Sequence, residues 1–312
     1  MNHTVIHAQA RVSAAPVDVD ELKRAWHAVR AGEFRPSQRR DRPDRRSGTR
    51  AAHTWTPHPW EEPVVVLGCA GSSGATTVAL AMGLSATAPV RVVECGSVST
   101  SALASASTAE LGLHTDGGWL LGRRDHVQLE RACAIFPGPH AVAHPIPAKG
   151  LPITERDERE VVLPSCLTIL DAGWEAGQLL ATASWIAETV RNVDHLVLTT
   201  RATTPGLRRL EGVLDLLAGT RGPGQVKVAV IGARRKKWPR GLEQAGGPAV
   251  RRVLDAGKYV EIPEVPGLAV AGLDSRPLPA GVVDAARRLL PTRRQHHRDS
   301  NPTRSPKKGT RS

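Results

Sequence analysis

The fold class is decided by one stretch, residues 64–86, which reads VVVLGCAGSSGATTVALAMGLSA. Its first five residues form a continuous apolar run, which is typical of a strand buried on both faces of a parallel sheet. A loop of small residues follows, and the alanine-rich segment after it predicts a helix over about 75–86. A strand, a small-residue loop and a helix in this order predict a ligand site at the carboxyl end of the strand.

The rest of the chain repeats this alternation of strand and helix patterns. Strand patterns lie at 90–96, 166–173, 195–200, 225–232 and 258–262, with a weaker one at 140–146, and helix patterns lie at about 177–191, 205–218, 248–256 and 280–290. Strands that alternate with helices of this length form parallel sheets, and the crossover helices cover both faces. We therefore predict an α/β protein with a doubly wound, mostly parallel sheet and helices on both faces.

The net charge of +12 is concentrated at the two ends of the chain. Residues 1–58 hold 11 Lys and Arg against 6 Asp and Glu, and residues 292–312 hold 7 against 1. Residues 59–291 are nearly neutral, with 24 against 23. Both ends are too poor in aliphatic residues to offset the entropy of ordering. We predict one folded domain over 59–291 between two disordered basic tails, which either bind nucleic acid weakly or serve as solubilising ends.

The N-terminal tail contains one exception, a short amphipathic helix pattern at about 20–31. Asp20 suits the N-cap, and Leu22, Trp26 and Val29 fall on one helical face. A helix with a single apolar face in a polar tail is suited to docking on a protein partner of unknown identity. It is equally suited to packing on its own domain, and the sequence leaves both interpretations open.

The sequence also argues against several classes of protein. It has no apolar run of 18 or more residues and no signal-peptide pattern, so we expect no membrane span and a cytoplasmic location. The four cysteines, at 69, 95, 133 and 166, show no CxxC or metal-binding spacing and are expected to be reduced thiols. The hydrolase motifs G-x-S-x-G and H-E-x-x-H are absent from the sequence.

The loop from Gly68 to Thr77, GCAGSSGATT, has the composition of an anion-binding loop. Its small residues let successive backbone N–H groups turn inward, and the following helix directs its positive end to the same place. The candidate nucleotide-binding residues are Gly71, Ser72, Ser73, Gly74, Ala75, Thr76 and Thr77.

Two motifs fit this loop. In a Walker-type loop, GxxxxGK[ST], Gly74 is the last glycine, Ala75 stands at the lysine and Thr76 stands at the metal-coordinating hydroxyl. In a dinucleotide loop, the three glycines form GxxGxxG, and Glu94 follows at the distance of a ribose-binding acid. The loop alone does not separate the two interpretations.

The order of motifs from Val64 to Pro291 resembles the MinD/ParA family of deviant Walker ATPases, in the SIMIBI class of P-loop NTPases. The segment AGSSGATT at 70–77 is similar to the family's K-G-G-x-G-K-[ST]-[ST], and LTILDAG at 167–173 is similar to its Walker B strand. The stretches at 195–217 and 261–279 are similar to its threonine-rich turn and its closing loop. The resemblance implies a P-loop NTPase-like fold with sites for ATP and Mg²⁺.

The chain departs from the family at the residues that carry the chemistry. Ala70 stands at the signature lysine, and Ala75 stands at the lysine that neutralises the β- and γ-phosphates. Removing one such cation commonly costs about 10²- to 10³-fold in rate, so weak or absent ATP binding and little hydrolysis are implied. Thr76 and Asp171 would still hold Mg²⁺, and Asp171 is the Walker B-like catalytic candidate.

Three further segments have two interpretations each. Arg201 or Arg234 could replace the missing charge, because both follow strands at one edge of the predicted sheet, or they are solvated loop residues. The stretch at 117–131 is either a switch or partner-contact element, or an ordinary helix start with solvated arginines. The segment RRKKW at 234–238 is either a solvated turn or a contact for phosphate or nucleic acid.

The main hypothesis for function is a degenerate MinD/ParA-like protein that regulates or scaffolds through protein–protein contacts without hydrolysing nucleotide. By analogy alone, such a protein could serve partition, conjugation or secretion. An excess of Arg over Lys and plentiful Ala, Gly and Pro indicate a GC-rich, actinobacterial type of genome. The alternatives are an active ATP-dependent switch in which an arginine replaces the loop lysine, and a protein that binds nucleic acid through its basic tails.

Overall fold

The computed structural model describes Trp55, Pro57 and residues 60–96, 102–113, 119–132, 166–222 and 225–291. The helix expected at 20–31, with Leu22, Trp26 and Val29, lies outside the described residues, as do the strand expected at 140–146 and the tail at 292–312. Among the helices of the described part, none is both long and apolar enough to cross a membrane.

Strands and helices alternate along most of the described chain. The strands are β1 Glu61–Gly68, β2 Val90–Glu94, β3 Ala109–Leu113, β4 Trp119–Arg124, β5 Val127–Ala132, β6 Cys166–Asp171, β7 His195–Arg201, β8 Val226–Ile231 and β9 Tyr259–Ile262. The helices are α1 Ala75–Ser85, α2 Leu103–Ala106, α3 Ala176–Leu180, α4 Trp185–Asn192, α5 Thr204–Leu217, α6 Leu242–Ala245, α7 Pro248–Asp255, α8 Pro266–Ala271 and α9 Ala280–Arg287. A 3₁₀ turn spans Arg235–Lys237.

The strands form one sheet in the order β3-β4-β5-β2-β6-β1-β7-β8-β9. From β5 to β9 in this order, all neighbouring strands are parallel. The strands β3, β4 and β5 pair antiparallel and extend one edge of the sheet. The predicted α/β fold with a mostly parallel sheet is therefore confirmed, and β1 lies in the interior between β6 and β7.

Helices cover both faces of the sheet. Alternate residues of β1 point to opposite faces, so each face of this strand packs against a different set of helices. Val65 and Leu67 are buried on one face with residues of α3, α4, α5 and α7. Val64 and Val66 are buried on the other face with residues of α1 and α9. The continuous apolar run of β1 thus serves two cores at once, as is usual for an interior parallel strand.

The expectation of a helix start within 117–131 is wrong, because β4 and β5 form a hairpin there. Asp125 begins the two-residue turn with a φ of 51°, in the left-handed region that Asp tolerates better than most residues. The arginine pair that suggested a solvated helix face is divided between the two sides of β4, so that Arg123 is exposed and Arg124 is buried.

Arg124 can be buried because backbone carbonyls satisfy its guanidinium group. Its Nη1 donates to the carbonyl of Ala106 at 3.1 Å and to that of Asp274 at 2.6 Å. Its Nη2 donates to the carbonyl of Arg276. The hairpin is thereby attached to the segment that precedes α9.

The single helix expected at about 177–191 is divided into α3 and α4. Thr182 Oγ1 donates to the carbonyl of Leu179 at 2.7 Å where α3 ends. Ser184 then caps α4 by accepting a hydrogen bond from Ala187 N at 3.2 Å. Hydroxyl side chains that bond to nearby backbone groups compete with the helix, and here they interrupt it.

A buried ionic cluster joins β1, β2, β5 and β6. Arg91 Nε donates to Thr168 Oγ1 at 3.0 Å, and the Arg91 guanidinium forms ion pairs with Glu61 and Glu130. Thr168 Oγ1 donates in turn to Glu61 Oε1 at 3.0 Å. The side chains of Arg91, Glu61 and Glu130 are each no more than 1% exposed, so all three charges are removed from water.

Candidate functional site

The loop Gly68–Thr77 lies at the carboxyl end of β1, where the ends of β6 and β7 also meet. Ligands of open parallel sheets bind at this edge, beside the strand from which the connections run in opposite directions. The loop therefore lies where the sequence predicted it, at the carboxyl end of the first strand of the sheet.

Contacts with β7 hold the loop in shape. Cys69 N donates to the carbonyl of Thr199 at 2.9 Å, and the hydroxyl groups of Ser73 and Thr199 lie 3.1 Å apart. Ser73 N also donates to the carbonyl of Ala70 at 3.3 Å, which closes a tight turn within the loop. Both cross-contacts use β7, so the conformation of the loop depends on the strand next to it.

Two residues of the loop have left-handed backbone conformations. Ser72 has a φ of 57°, and Gly74, which stands directly before α1, has a φ of 82°. A Cβ atom built on Gly74 would clash with Ile231 Cδ1 of β8. Gly74 therefore needs both the conformational freedom and the small size of glycine.

Helix α1 begins at Ala75 and points its amino end at the cavity. The first N–H groups of an α-helix have no partner within the helix, and they carry the positive end of its dipole. A helix start at this position is the arrangement by which backbone N–H groups bind phosphate in other proteins.

The loop forms one wall of a cavity of about 650 Å³. All the predicted site residues line this cavity, namely Gly71, Ser72, Ser73, Gly74, Ala75, Thr76, Thr77 and Asp171. Ala70 and Arg201 line it as well. Arg234 is an exposed residue next to the 3₁₀ turn and is not among the lining residues, so it does not supply the missing charge in this arrangement.

Asp171 and Thr76 lie next to each other, which a shared Mg²⁺ site would require. Asp171 is 1% exposed, and its Oδ1 has no hydrogen-bond partner. Burial raises the pKa of the Asp171 carboxyl to about 7, the hydrogen bond with Thr76 lowers it, and the nearby Glu94 carboxylate raises it. A carboxylate with a free oxygen beside a hydroxyl group is a donor set that suits Mg²⁺, with water or a ligand completing the shell. The described residues contain no cluster of three or more His, Cys, Asp or Glu side chains that could hold a metal ion.

The charges in the cavity do not suit a polyphosphate. Its acidic lining residues are Asp171, Glu175 and Glu264, and Arg201 is the basic residue among the described side chains that line it. Arg201 forms an ion pair with Glu264 and is therefore already neutralised. The backbone of the loop is shaped to accept an anion, but the side chains that line the cavity carry too little positive charge for a polyphosphate. No step of phosphoryl transfer follows from this geometry.

Glu94 does not line the cavity in the way that the dinucleotide interpretation requires. Its Oε1 accepts hydrogen bonds from Ala102 N at 2.8 Å and Leu103 N at 3.3 Å, at the start of α2. It is 3% exposed, and the cavity lining does not include it. An acid held in this way is not available to a ribose, so the Walker-type interpretation fits the structure better.

Sequence reasoning missed several apolar parts of the cavity wall. Trp174 lines it directly after β6, and its Nε1 donates to the carbonyl of Cys95 at 2.5 Å. Val265, directly before α8, and Leu268, within α8, line it as well, together with Ile231. The short apolar pattern at 265–270 was the available signal for α8, although it is too brief to indicate a helix by periodicity.

These features define a P-loop NTPase-like α/β fold. No family model matches the chain, and no curated protein matches it. The solved structures that are similar to it include apo McdA from Cyanthece, a ParA family ATPase from Chlorobium tepidum TLS, and the cell division ATPase MinD from Pyrococcus furiosus.

The similarity to these three proteins extends over most of each chain. McdA is 15% identical over 74% of this chain and 100% of its own, with a TM-score of 0.44. The ParA family ATPase is 11% identical over 73% and 96%, with a TM-score of 0.42. MinD is 14% identical over 73% and 96%, with a TM-score of 0.40. At these identities and TM-scores, none of the three supports a statement about the activity or ligands of this chain.

Proposed function

We propose that the protein is a degenerate MinD/ParA-like P-loop protein of the cytoplasm that does not hydrolyse nucleotide and acts through protein–protein contacts. The proposal is supported by one observation above all. Ala70 and Ala75, at the two positions where the resemblance implies lysines, both line the cavity and present only methyl groups to it. A transferring phosphoryl group would meet backbone dipoles and carboxylates there, without a free fixed cation to stabilise its charge.

A phosphate-release assay with ATP and Mg²⁺ tests the proposal. We expect the natural protein to release phosphate no faster than a control without protein. Titration calorimetry should show weak binding of ATP or none. Turnover at a rate ordinary for an ATPase would contradict the proposal. A Thr76→Ala variant should leave any residual binding unchanged if the loop is vestigial.

Restoring the cations gives a sharper test. Ala75→Lys alone, and together with Ala70→Lys, places ammonium groups in a loop whose backbone still has the shape to hold phosphate. We expect tighter binding of ATP by at least about tenfold, which is a gain of about 1.4 kcal/mol. Ala256→Lys is the matched control, because Ala256 is exposed and precedes the amino end of β9, away from the loop. Equal affinities in all variants would mean that the loop does not hold an anion at all.

The second candidate function is an active switch in which Arg201 replaces the missing lysine. It is favoured by the position of Arg201 in the cavity wall. In that case Arg201→Ala should lower the rate of ATP hydrolysis by about 10²- to 10³-fold. The exposed Arg208 of α5 provides the control, since Arg208→Ala changes the same charge outside the cavity.

The partner and the process belong to the proposal as well. The partner would bind the N-terminal helix pattern through Leu22, Trp26 and Val29, and the process would be partition, conjugation or secretion in an actinobacterial type of cell. Co-purification from the native cell, with and without Trp26→Ala, tests this. A partner that is retained equally by both proteins would show that the helix is not the docking element.

A further inference from the structure

A cluster of positive charge follows β8, in a segment here called the basic turn, residues 234–240. It reads RRKKWPR and contains five of the 24 Lys and Arg residues of the nearly neutral domain over 59–291. It includes the 3₁₀ turn Arg235–Lys237 and contains no acidic residue. The strands β7, β8 and β1 are parallel, so the basic turn lies at the same edge of the sheet as the cavity.

One arginine of the basic turn faces inward and anchors it. Arg235 Nε lies 2.8 Å from Glu243 Oε1, and its Nη2 lies 2.9 Å from Glu243 Oε2, which is a bidentate pair. Its guanidinium carbon lies 5.9 Å from the ring centroid of Tyr259, and its backbone N donates to Glu261 Oε1 at 2.6 Å. The hydrogen bond with Glu243 raises the pKa of Arg235, so this anchor stays charged.

Backbone and indole hydrogen bonds fix the rest of the turn. Lys237 N donates to the carbonyl of Arg234 at 2.7 Å, and Trp238 N donates to that of Arg235 at 3.0 Å. Trp238 Nε1 donates to the carbonyl of Ala233 at 2.7 Å. The segment is thus a built turn with a defined backbone, unlike a freely solvated run of charges.

The remaining four cations point outward. Arg234, Lys236, Lys237 and Arg240 are all exposed, and within the described residues none of the four takes part in an ion pair. The three acids that contact the turn all do so at Arg235, because Glu243 and Asp255 pair with its side chain and Glu261 accepts from its backbone. The turn therefore presents four charges on a fixed backbone.

We propose that the basic turn is a docking surface for a short acidic segment of a partner protein. Nucleic acid is the less suitable partner, because its binding draws on many phosphate contacts over an extended basic surface. Here five basic residues are clustered within seven positions, and the other 19 basic residues of 59–291 are balanced by 23 acidic residues. A short acidic peptide carries enough carboxylates to complement the four exposed cations of a single turn. This proposal does not depend on whether the cavity binds nucleotide.

The test measures binding of a fluorescently labelled hexaglutamate peptide to the full chain by anisotropy at low salt. A variant with Gln at Arg234, Lys236, Lys237 and Arg240 should bind the peptide about tenfold more weakly, since each exposed pair contributes a small fraction of that change. The matched control carries Gln at Arg208, Arg209, Arg252 and Lys258, which are also exposed and have the same total charge. The control should bind within about twofold of the natural chain. Equal losses in both variants would overturn the proposal, because net charge would then explain the binding.

A second variant tests whether the shape of the turn matters. Arg235→Gln removes one inward charge and the anchor, and we expect it to weaken peptide binding more than Lys236→Gln, which removes one outward charge. Circular dichroism establishes that the variant is folded. Weakening no greater than that of Lys236→Gln would overturn the role of the built turn. Tighter binding of a short DNA duplex than of the peptide, lost in the fourfold variant and kept in the control, would overturn the partner class.

Discussion

Asp171 links the candidate site to the stability of the whole domain. Burial raises the pKa of its carboxyl to about 7, against an ordinary value of 3.8. Because the folded state binds this proton more tightly than the unfolded state does, stability falls as pH rises from about 4 to about 7. Each pKa unit corresponds to about 1.36 kcal/mol, so the loss is about 4 kcal/mol at most.

Replacing this carboxyl should remove that pH dependence. In buffer with EDTA, we expect the unfolding free energy of the natural protein to fall relative to that of Asp171→Asn between about pH 4 and pH 8. Urea denaturation at several pH values measures the difference. Asp215→Asn is the control, since Asp215 is exposed on α5. Parallel curves for the natural protein and Asp171→Asn would contradict the prediction.

Gly74 is the residue at which the shape of the loop can be tested. We expect Gly74→Ala to lower the free energy of unfolding by about 1–3 kcal/mol, because the backbone is left-handed and the new methyl group would meet Ile231. Gly71→Ala is the matched control in the same loop, because a Cβ there meets no atom within 4 Å. Adding Ile231→Val should recover part of the loss. Thermal or urea unfolding that ranks the two alanine variants equally would contradict this account.

The composition of the site could be predicted from the sequence where a motif carries it. The small-residue loop after the first strand indicated Gly71 to Thr77, and the family resemblance brought Thr76 and Asp171 together as candidate ligands of Mg²⁺. The ion pair between Arg201 and Glu264 could not be predicted, because it joins the end of β7 to the segment after β9, 63 residues further along the chain. Spacing along the sequence carries no information on such a contact.

At the scale of elements, Arg91 is the one side chain of the buried ionic cluster that contacts residues of three other strands, in β1, β5 and β6. We expect Arg91→Met to lower the free energy of unfolding by about 3–5 kcal/mol, because Glu61 and Glu130 would remain buried without their cation. Arg123→Met is the control, since Arg123 is exposed on β4. Chemical denaturation provides the measurement, and losses of similar size in both variants would refute the argument.

Elements differ in how clearly the sequence indicates them. The interior strands were predicted because both of their faces are buried and their apolar runs are continuous, as in β1 and β6. The hairpin of β4 and β5 was missed because Arg124 is a charged residue, and two of its three carbonyl partners lie about 150 residues away in the chain. The break between α3 and α4 was missed because the cap at Ser184 does not disturb the apolar periodicity.

At the scale of the whole molecule, most of the net charge lies at the two ends of the sequence. The segments 1–58 and 292–312 carry net charges of +5 and +6, from 11 against 6 and from 7 against 1. We expect weak binding of duplex DNA by the full chain, and the binding should fall steeply with salt. Gln at the seven basic residues of 292–312 should weaken it severalfold and reduce the salt dependence, as measured by filter binding. Gln at Arg208, Arg209, Arg252 and Lys258 should have little effect, and an effect as large as that of the tail variant would contradict the prediction.

The guanidinium of Arg124 has a consequence for the order in which the protein can be made. During translation, β4 leaves the ribosome well before the carbonyls of Asp274 and Arg276 have been synthesised. Until they arrive, the carbonyl of Ala106 is the one backbone acceptor of the three that this arginine can reach, so its guanidinium keeps most of its hydration and the edge of the sheet that it holds is incompletely packed. Nascent chains that stop short of these residues should therefore be exposed to proteases and chaperones at that edge, even after the central strands have paired.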